Sequence, residues 1–112
     1  MRFDVIVTPV VEPLTDLARA RLRGTIRREI AKGNVSHVVD LSGISKLDVK
    51  TLAELIRMRR WLREVGGFLH LIVRQPDVLK ILNVAGLDRI FGLYATEEEA
   101  LSGLGALAPI PA

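Results

Sequence analysis

Asp40, Ser42, Ser45, Lys46, Asp48, Lys50 and Thr51 follow one another closely and form the densest set of reactive groups in the chain. The two serines could serve as nucleophiles, but a hydroxyl needs a base beside it, and the segment holds no histidine. Asp40 and Asp48 could share a metal ion. The simpler role for Asp48 is to cap a helix, accepting from the N–H of Lys50 or Thr51. His37 and His70 each lie inside an apolar run with no second ligand at tight spacing, so they read as structural or surface histidines. The chain has no GxxxxGK[ST] and no GxGxxG after a strand. No catalytic residue, metal or cofactor is expected. What remains is phosphate chemistry. A phosphate on Ser45 or Thr51 would meet a helix N-terminus and Lys50, a favourable electrostatic setting.

These groups are positioned by a strand, a loop, a helix and a second strand. Ser36 to Leu41 is β-branched and ends near an aspartate, the pattern of a buried parallel strand. A connection over Ser42–Asp48 leads into a helix from Val49 to Val65, stopped by Gly66-Gly67, and Phe68 to Val73 is apolar again. This is a βαβ unit, and its loop lies at the carboxyl end of the first strand, where open α/β sheets place their sites. Leu52, Leu55, Ile56 and Leu62 mark the core face of the helix. Lys50, Glu54, Arg57 and Trp61 form the opposite stripe, so Trp61 is expected to point outward as an interaction hot spot, unless another part of the chain covers it. Arg59 falls within the apolar arc and must snorkel past the sheet edge or find a carboxylate.

Before this unit, Phe3 to Val7 reads as a strand, extended to Val11 if Pro9 sits at an edge. Thr15 or Asp16 can cap a helix to about Lys32, with Ala18, Leu22, Ile26 and Ile30 on its core side. Arg19, Arg23 and Arg27 form a second row, read as a solvated face with an acidic-partner site as the alternative. After the unit, Pro76 and Asp77 open a short helix to Ala85, and Ile90–Tyr94 is a last strand. Thr96 and Glu99 form a capping box for a final helix over 97–104. The Pro-rich end, 107–112, is expected to fray from a domain spanning 1–106.

Composition narrows the function classes. A chain of 112 residues, 49% apolar and 26% charged, makes one globular domain. There is no cysteine, hence no disulfide frame and no thiolate site. No apolar run reaches the roughly 18 residues of a membrane span, and the N-terminus lacks the apolar core of a signal peptide. A cytoplasmic, bacterial-type protein is expected. The net charge of +3 comes from 16 basic and 13 acidic side chains, a mixed surface rather than a nucleic-acid stripe.

The segments VVDLSGISKLD, LREVGGFLHL and AGLDRIF, in this order and spacing, resemble the sulphate-transporter and anti-sigma-factor-antagonist (STAS) domain. The family pattern is a strand ending D-L-S-G-V, then D-S-S-G-L, a helix ending L-R-x-x-G-G, and a later G-L-x-x-x-F. The resemblance covers about Val35 to Leu104. It implies a single α/β domain, with a mixed sheet of about four to five strands and about four helices. It also implies a non-enzymatic module that binds a protein partner, an anti-sigma factor of the histidine-kinase-like ATPase type or a signalling complex. The family is commonly switched by phosphorylation of the serine after the motif aspartate. Here D-S-S-G is replaced by Asp48-Val49-Lys50-Thr51, so the switch position is Val49, which has no hydroxyl.

Transcription regulation without that switch is therefore the expected function. The partner surface is expected over Ser45, Asp48, Val49, Lys50, Thr51 and Trp61, with Thr51 and Ser45 as the remaining candidate phosphosites. The alternatives are a small-anion or nucleotide site beside Lys46 and Lys50, or a structural subunit of a larger assembly. Homo-oligomerisation is compatible with either.

Overall fold

The proline-broken first strand pairs with its neighbour on both sides of a bulge. In the computed structural model, which describes residues 5–105, β1 (Val5–Val11) lies parallel to β2 (Ser36–Gly43). Pairing runs from Val5↔Ser36 to Pro9↔Asp40 and resumes at Val11↔Gly43 after a bulge. β1 is an edge strand, where a residue without an N–H is tolerated, and the bulge falls beside the proline. β3 (Phe68–Ile72) and β4 (Gly92–Tyr94) complete the order β1-β2-β3-β4. Four helices accompany them: α1 (Asp16–Ala31), α2 (Val49–Glu64), α3 (Pro76–Val84) and α4 (Glu97–Gly105).

Every pairing among these strands is parallel, whereas the sequence suggested a mixed sheet. The reason is connectivity. Each pair of neighbours is joined by a crossover through a helix, which returns the chain to the end of the sheet where the previous strand began, so neighbours run the same way. Because the order steps in one direction, same-handed crossovers put all three connecting helices on one face. That face holds the main core: Leu22 and Ile26 of α1, Leu55, Met58 and Leu62 of α2, and Val78 and Leu82 of α3 meet Val39, Leu41, Leu69 and Leu71. The other face, with Val38 and Ile72, is covered by α4 through Ala100.

Local chemistry sets the boundaries. Thr15 caps α1, accepting from the N–H of Ala18 (3.0 Å). At Thr96 half of the expected capping box forms: its hydroxyl accepts from the Glu99 N–H (3.0 Å), while the Glu99 carboxylate accepts from the N–H of Ala95 (3.1 Å), one residue before the cap. Gly66 takes a left-handed φ of +80° to end α2. Gly67 is required for a different reason. A Cβ there would lie 2.0 Å from the Val35 carbonyl oxygen, which accepts the Phe68 N–H that starts β3. The last strand begins at Gly92 rather than Ile90, because Leu87–Arg89 form a 3-10 turn and Phe91 drops into the main core. The tail expected to fray, 107–112, lies outside the described residues, as does the start of the first strand expected at Phe3.

Candidate functional site

The loop after β2 is held by its apolar residues, and its polar ones project. Ile44 and Leu47 are buried in the main core. Gln75, just before α3, donates its amide to the carbonyls of Leu41 (2.8 Å) and Ile44. At the strand end, Asp40 Oδ1 accepts from the N–H (2.9 Å) and hydroxyl (2.6 Å) of Ser42. Asp40 is thereby engaged in a local turn. Between the two buried anchors Ser45 and Lys46 are exposed, and the Ser45 hydroxyl donates to Glu12 (2.8 Å) across from the end of β1.

Asp48 caps α2, accepting from the Thr51 N–H at 2.8 Å. Hydrogen bonding from Thr51 holds its carboxyl below the usual range, helped by the charges of Arg19 and Lys50. With the cap in place, the first turn of α2 presents Val49 at 81% exposure, and Lys50 is exposed beside it. Two more bare aliphatics belong to the same end of the sheet. Val11, at 65% exposure, would touch a Cβ at Gly43, and Leu17, at 60%, follows Asp16 in the first turn of α1. Asp16 is tied to this end through its ion pair with Arg19, which also reaches Asp48 (3.6 Å).

Two of the expected surface residues are placed differently. Thr51 is fully buried, so its hydroxyl is not presented to solvent and is no ready phosphosite. Ser45 remains exposed. Trp61 is half-buried against the main core, with the Arg27 guanidinium over its ring at 4.7 Å. The stripe expected to face outward is the one that α1 covers. Glu54 in the same stripe is only 8% exposed and takes Arg23 (2.6 Å) and Arg57 (3.1 Å). The arginine row of α1, expected to be solvated, is its counterpart: Arg19 meets Asp48, Arg23 meets Glu54, and Arg27 meets Trp61. Arg19 is buried and also donates to the Leu14 carbonyl (2.8 Å). The reason is steric. Two helices laid side by side on one sheet face must share a flank, and a flank set by tertiary contact need not be the apolar arc of either helix.

Both histidines are buried, on opposite faces of the sheet. His37 donates through Nε2 to the Asn34 carbonyl (2.8 Å). His70 stacks near Phe68 (4.6 Å) and edge-on to Tyr94 (5.8 Å), and burial pushes its pKa down to about 4. Among the described residues no group of three or more His, Asp or Glu could hold a metal ion. No helix of the described residues is long and apolar enough to cross a membrane.

A strand-loop-helix with a capping aspartate and bare aliphatics at the first turn matches a known domain pattern. The STAS domain family matches residues 2–100. The chain belongs to that family. Among curated proteins, this STAS domain is 31% identical over 70 residues to a Thermotoga neapolitana protein described as an anti-sigma factor antagonist, the TM1081 homologue. That match covers 62% of each chain, so the alignment spans less than two thirds of the relative's length. Among solved structures, TM1081 of Thermotoga maritima superimposes with a TM-score of 0.81 at 23% identity, covering 94% of this chain and 85% of the other. SpoIIAA of Bacillus in its phosphorylated form superimposes with a TM-score of 0.73 at 23% identity, covering 92% and 93%. At these identities the likeness establishes the fold.

The sequence pointed to the loop and to the Asp48 cap. It missed Glu12 and Val11 as neighbours of the loop, and Gln75 as its brace. A signal was present in the bare Val11-Glu12-Pro13-Leu14 exit, where aliphatic and acidic residues leave a strand without a turn motif. Gln75 carried none.

Proposed function

We propose that this STAS domain is a non-enzymatic regulator of the anti-sigma-factor-antagonist kind, binding a histidine-kinase-like anti-sigma factor or a signalling complex through the 42–51 loop and the first turn of α2. The observation that carries this reading is Val49, an aliphatic side chain 81% exposed at the family's switch position. A bare aliphatic at the end of the sheet that also exposes Val11 and Leu17 suits burial in a partner, since exposed apolar surface marks interaction sites. Ser45, Asp48 and Lys50 supply the polar rim, Thr51 lies buried beneath it, and Trp61, farther along α2, packs under Arg27 of α1.

The domain is constitutively competent. SpoIIAA has been solved in a phosphorylated form, but valine offers no oxygen for phosphoryl transfer at the corresponding motif position here. An anion or nucleotide at the same helix end is disfavoured. The Asp48 carboxylate already occupies the Thr51 N–H and would repel it.

The test uses the histidine-kinase-like anti-sigma factor of the same organism with ATP. Titration calorimetry should show a complex, and intact mass should show no phosphate on the unaltered chain. Val49→Ser should accept one phosphate, and Val49→Asp should weaken the complex at least tenfold. One full phosphate on the unaltered chain would overturn the constitutive reading. Unchanged affinity in Val49→Asp would move the interface elsewhere.

A further inference from the structure

The far end of α2 carries a second feature that the loop site does not use. Ile56, Arg59, Arg60, Arg63 and Glu64, all of α2, line a shallow groove of about 380 Å³ that is largely open to solvent. Arg59 is held in place, its Nε donating to the Ile90 carbonyl at 2.7 Å. That bond orients the guanidinium and leaves its two terminal amino groups for other acceptors. Among the described residues the ion pairs lie elsewhere, on Asp16, Glu29, Asp48 and Glu54, and the lining itself sets three arginines against the single carboxylate of Glu64, an excess of positive charge. Burial and the charge of Arg63 push the Arg59 pKa down, as expected of like charges held together. Ile56 packs at the core side of this face, and Ile90 is 36% exposed beside it.

We propose that this groove docks an acidic segment of a partner protein. Carboxylates would be taken by the forks of Arg59 and Arg63, and an aliphatic side chain would lie on Ile56 and Ile90. Three properties select this occupant. Arginine forks match carboxylates in paired hydrogen bonds. A groove largely open to solvent does not enclose a small metabolite, which pockets normally bury on most of its surface. The lining holds no aromatic for base stacking, which disfavours a nucleic-acid strand. The surface is separate from the loop site. Arg59 is ten residues along the helix from Val49, about 15 Å at 1.5 Å per residue.

The experiment titrates the full ¹⁵N-labelled chain with a fluorescein-labelled peptide, Glu-Leu-Glu-Asp-Leu-Glu, and with the same peptide carrying Gln and Asn for its acids. Amide shifts should centre on 56–64 and 90, and anisotropy should show binding to the acidic peptide alone, weakened by added salt. Arg60→Gln combined with Arg63→Gln, both on exposed side chains, should raise the Kd at least tenfold with unchanged amide dispersion. Arg59→Lys keeps the charge but loses the fork, and should weaken binding several-fold. Val49→Asp should leave this titration unchanged, so failure here is distinct from failure at the loop. Absence of binding, shifts centred on 45–50, displacement by pyrophosphate at equal concentration, or tighter binding of a single-stranded oligonucleotide would each overturn the proposal.

Discussion

Val49 and Glu54 lie five residues apart on one helix, and their environments are the reverse of what their side chains suggest. The valine is 81% exposed and the glutamate 8%. Glu54 is buried because α1 lies alongside and brings Arg23 to it, and Arg57 of its own helix completes the pairing. Val49 is bare because it sits in the first turn, just after the cap, where no neighbouring element covers it. Residue type therefore does not identify the exposed face of α2. The charged stripe is internal scaffold, and the aliphatic turn is the part left bare.

Four measurements can break or sharpen that contrast. The largest effect concerns His70, the buried polar residue on the opposite sheet face. Its folded pKa of about 4 lies below the unfolded value of 6.5, so the unfolded chain takes up the proton first. Stability should be full above pH 6.5 and fall as the pH drops toward 4, by up to about 3 kcal/mol. Urea titrations across that range should show the loss, and His70→Phe should reduce the slope, with buried His37, whose pKa is also lowered, supplying a remainder of the same sign. A slope unchanged in that variant would place the titrating group elsewhere.

Next is Glu54→Ala, which leaves Arg23 and Arg57 facing each other without a carboxylate. We expect a loss of about 2 kcal/mol, below that of a fully buried pair because Arg23 is partly exposed. A double-mutant cycle with Arg23→Ala should recover part of it, and strict additivity would mean the pair contributes no coupling. Trp61→Ala should cost about 1.5 kcal/mol of folding, since the ring is half-buried under Arg27, and should change partner affinity little. As Trp61 is the sole tryptophan, the free domain should emit toward the blue and resist quenching. Red-shifted, freely quenched emission would return Trp61 to the partner face. The smallest folding effect is that of Val49→Ser, under about 0.5 kcal/mol, because nothing covers the side chain. A larger loss in thermal or urea melts would mean that Val49 packs in its own fold.

The elements themselves were legible because their signals are local. Periodicity marked α1 and α2, β-branched runs marked β2 and β3, and Asp48, Thr96 and the Gly66-Gly67 pair announced helix ends through caps and turns that span only a few residues. The motif order placed the chain in its family, and the missing hydroxyl at Val49 is a fact of sequence alone.

Which side of a helix is inside was decided by the tertiary structure. A helical wheel shows where apolar residues cluster, but not where a second helix will lie along its flank. Arg19, Arg23 and Arg27 and their counterparts Asp48, Glu54 and Trp61 are separated by about thirty positions in sequence. Only the two crossovers onto one sheet face bring them together. Charged rows that look solvated one helix at a time are complementary when paired, and burial of an ion pair depends on that partner being present. The same long-range placement set Glu12 beside Ser45 and Gln75 beneath the loop, and it left Val49 uncovered.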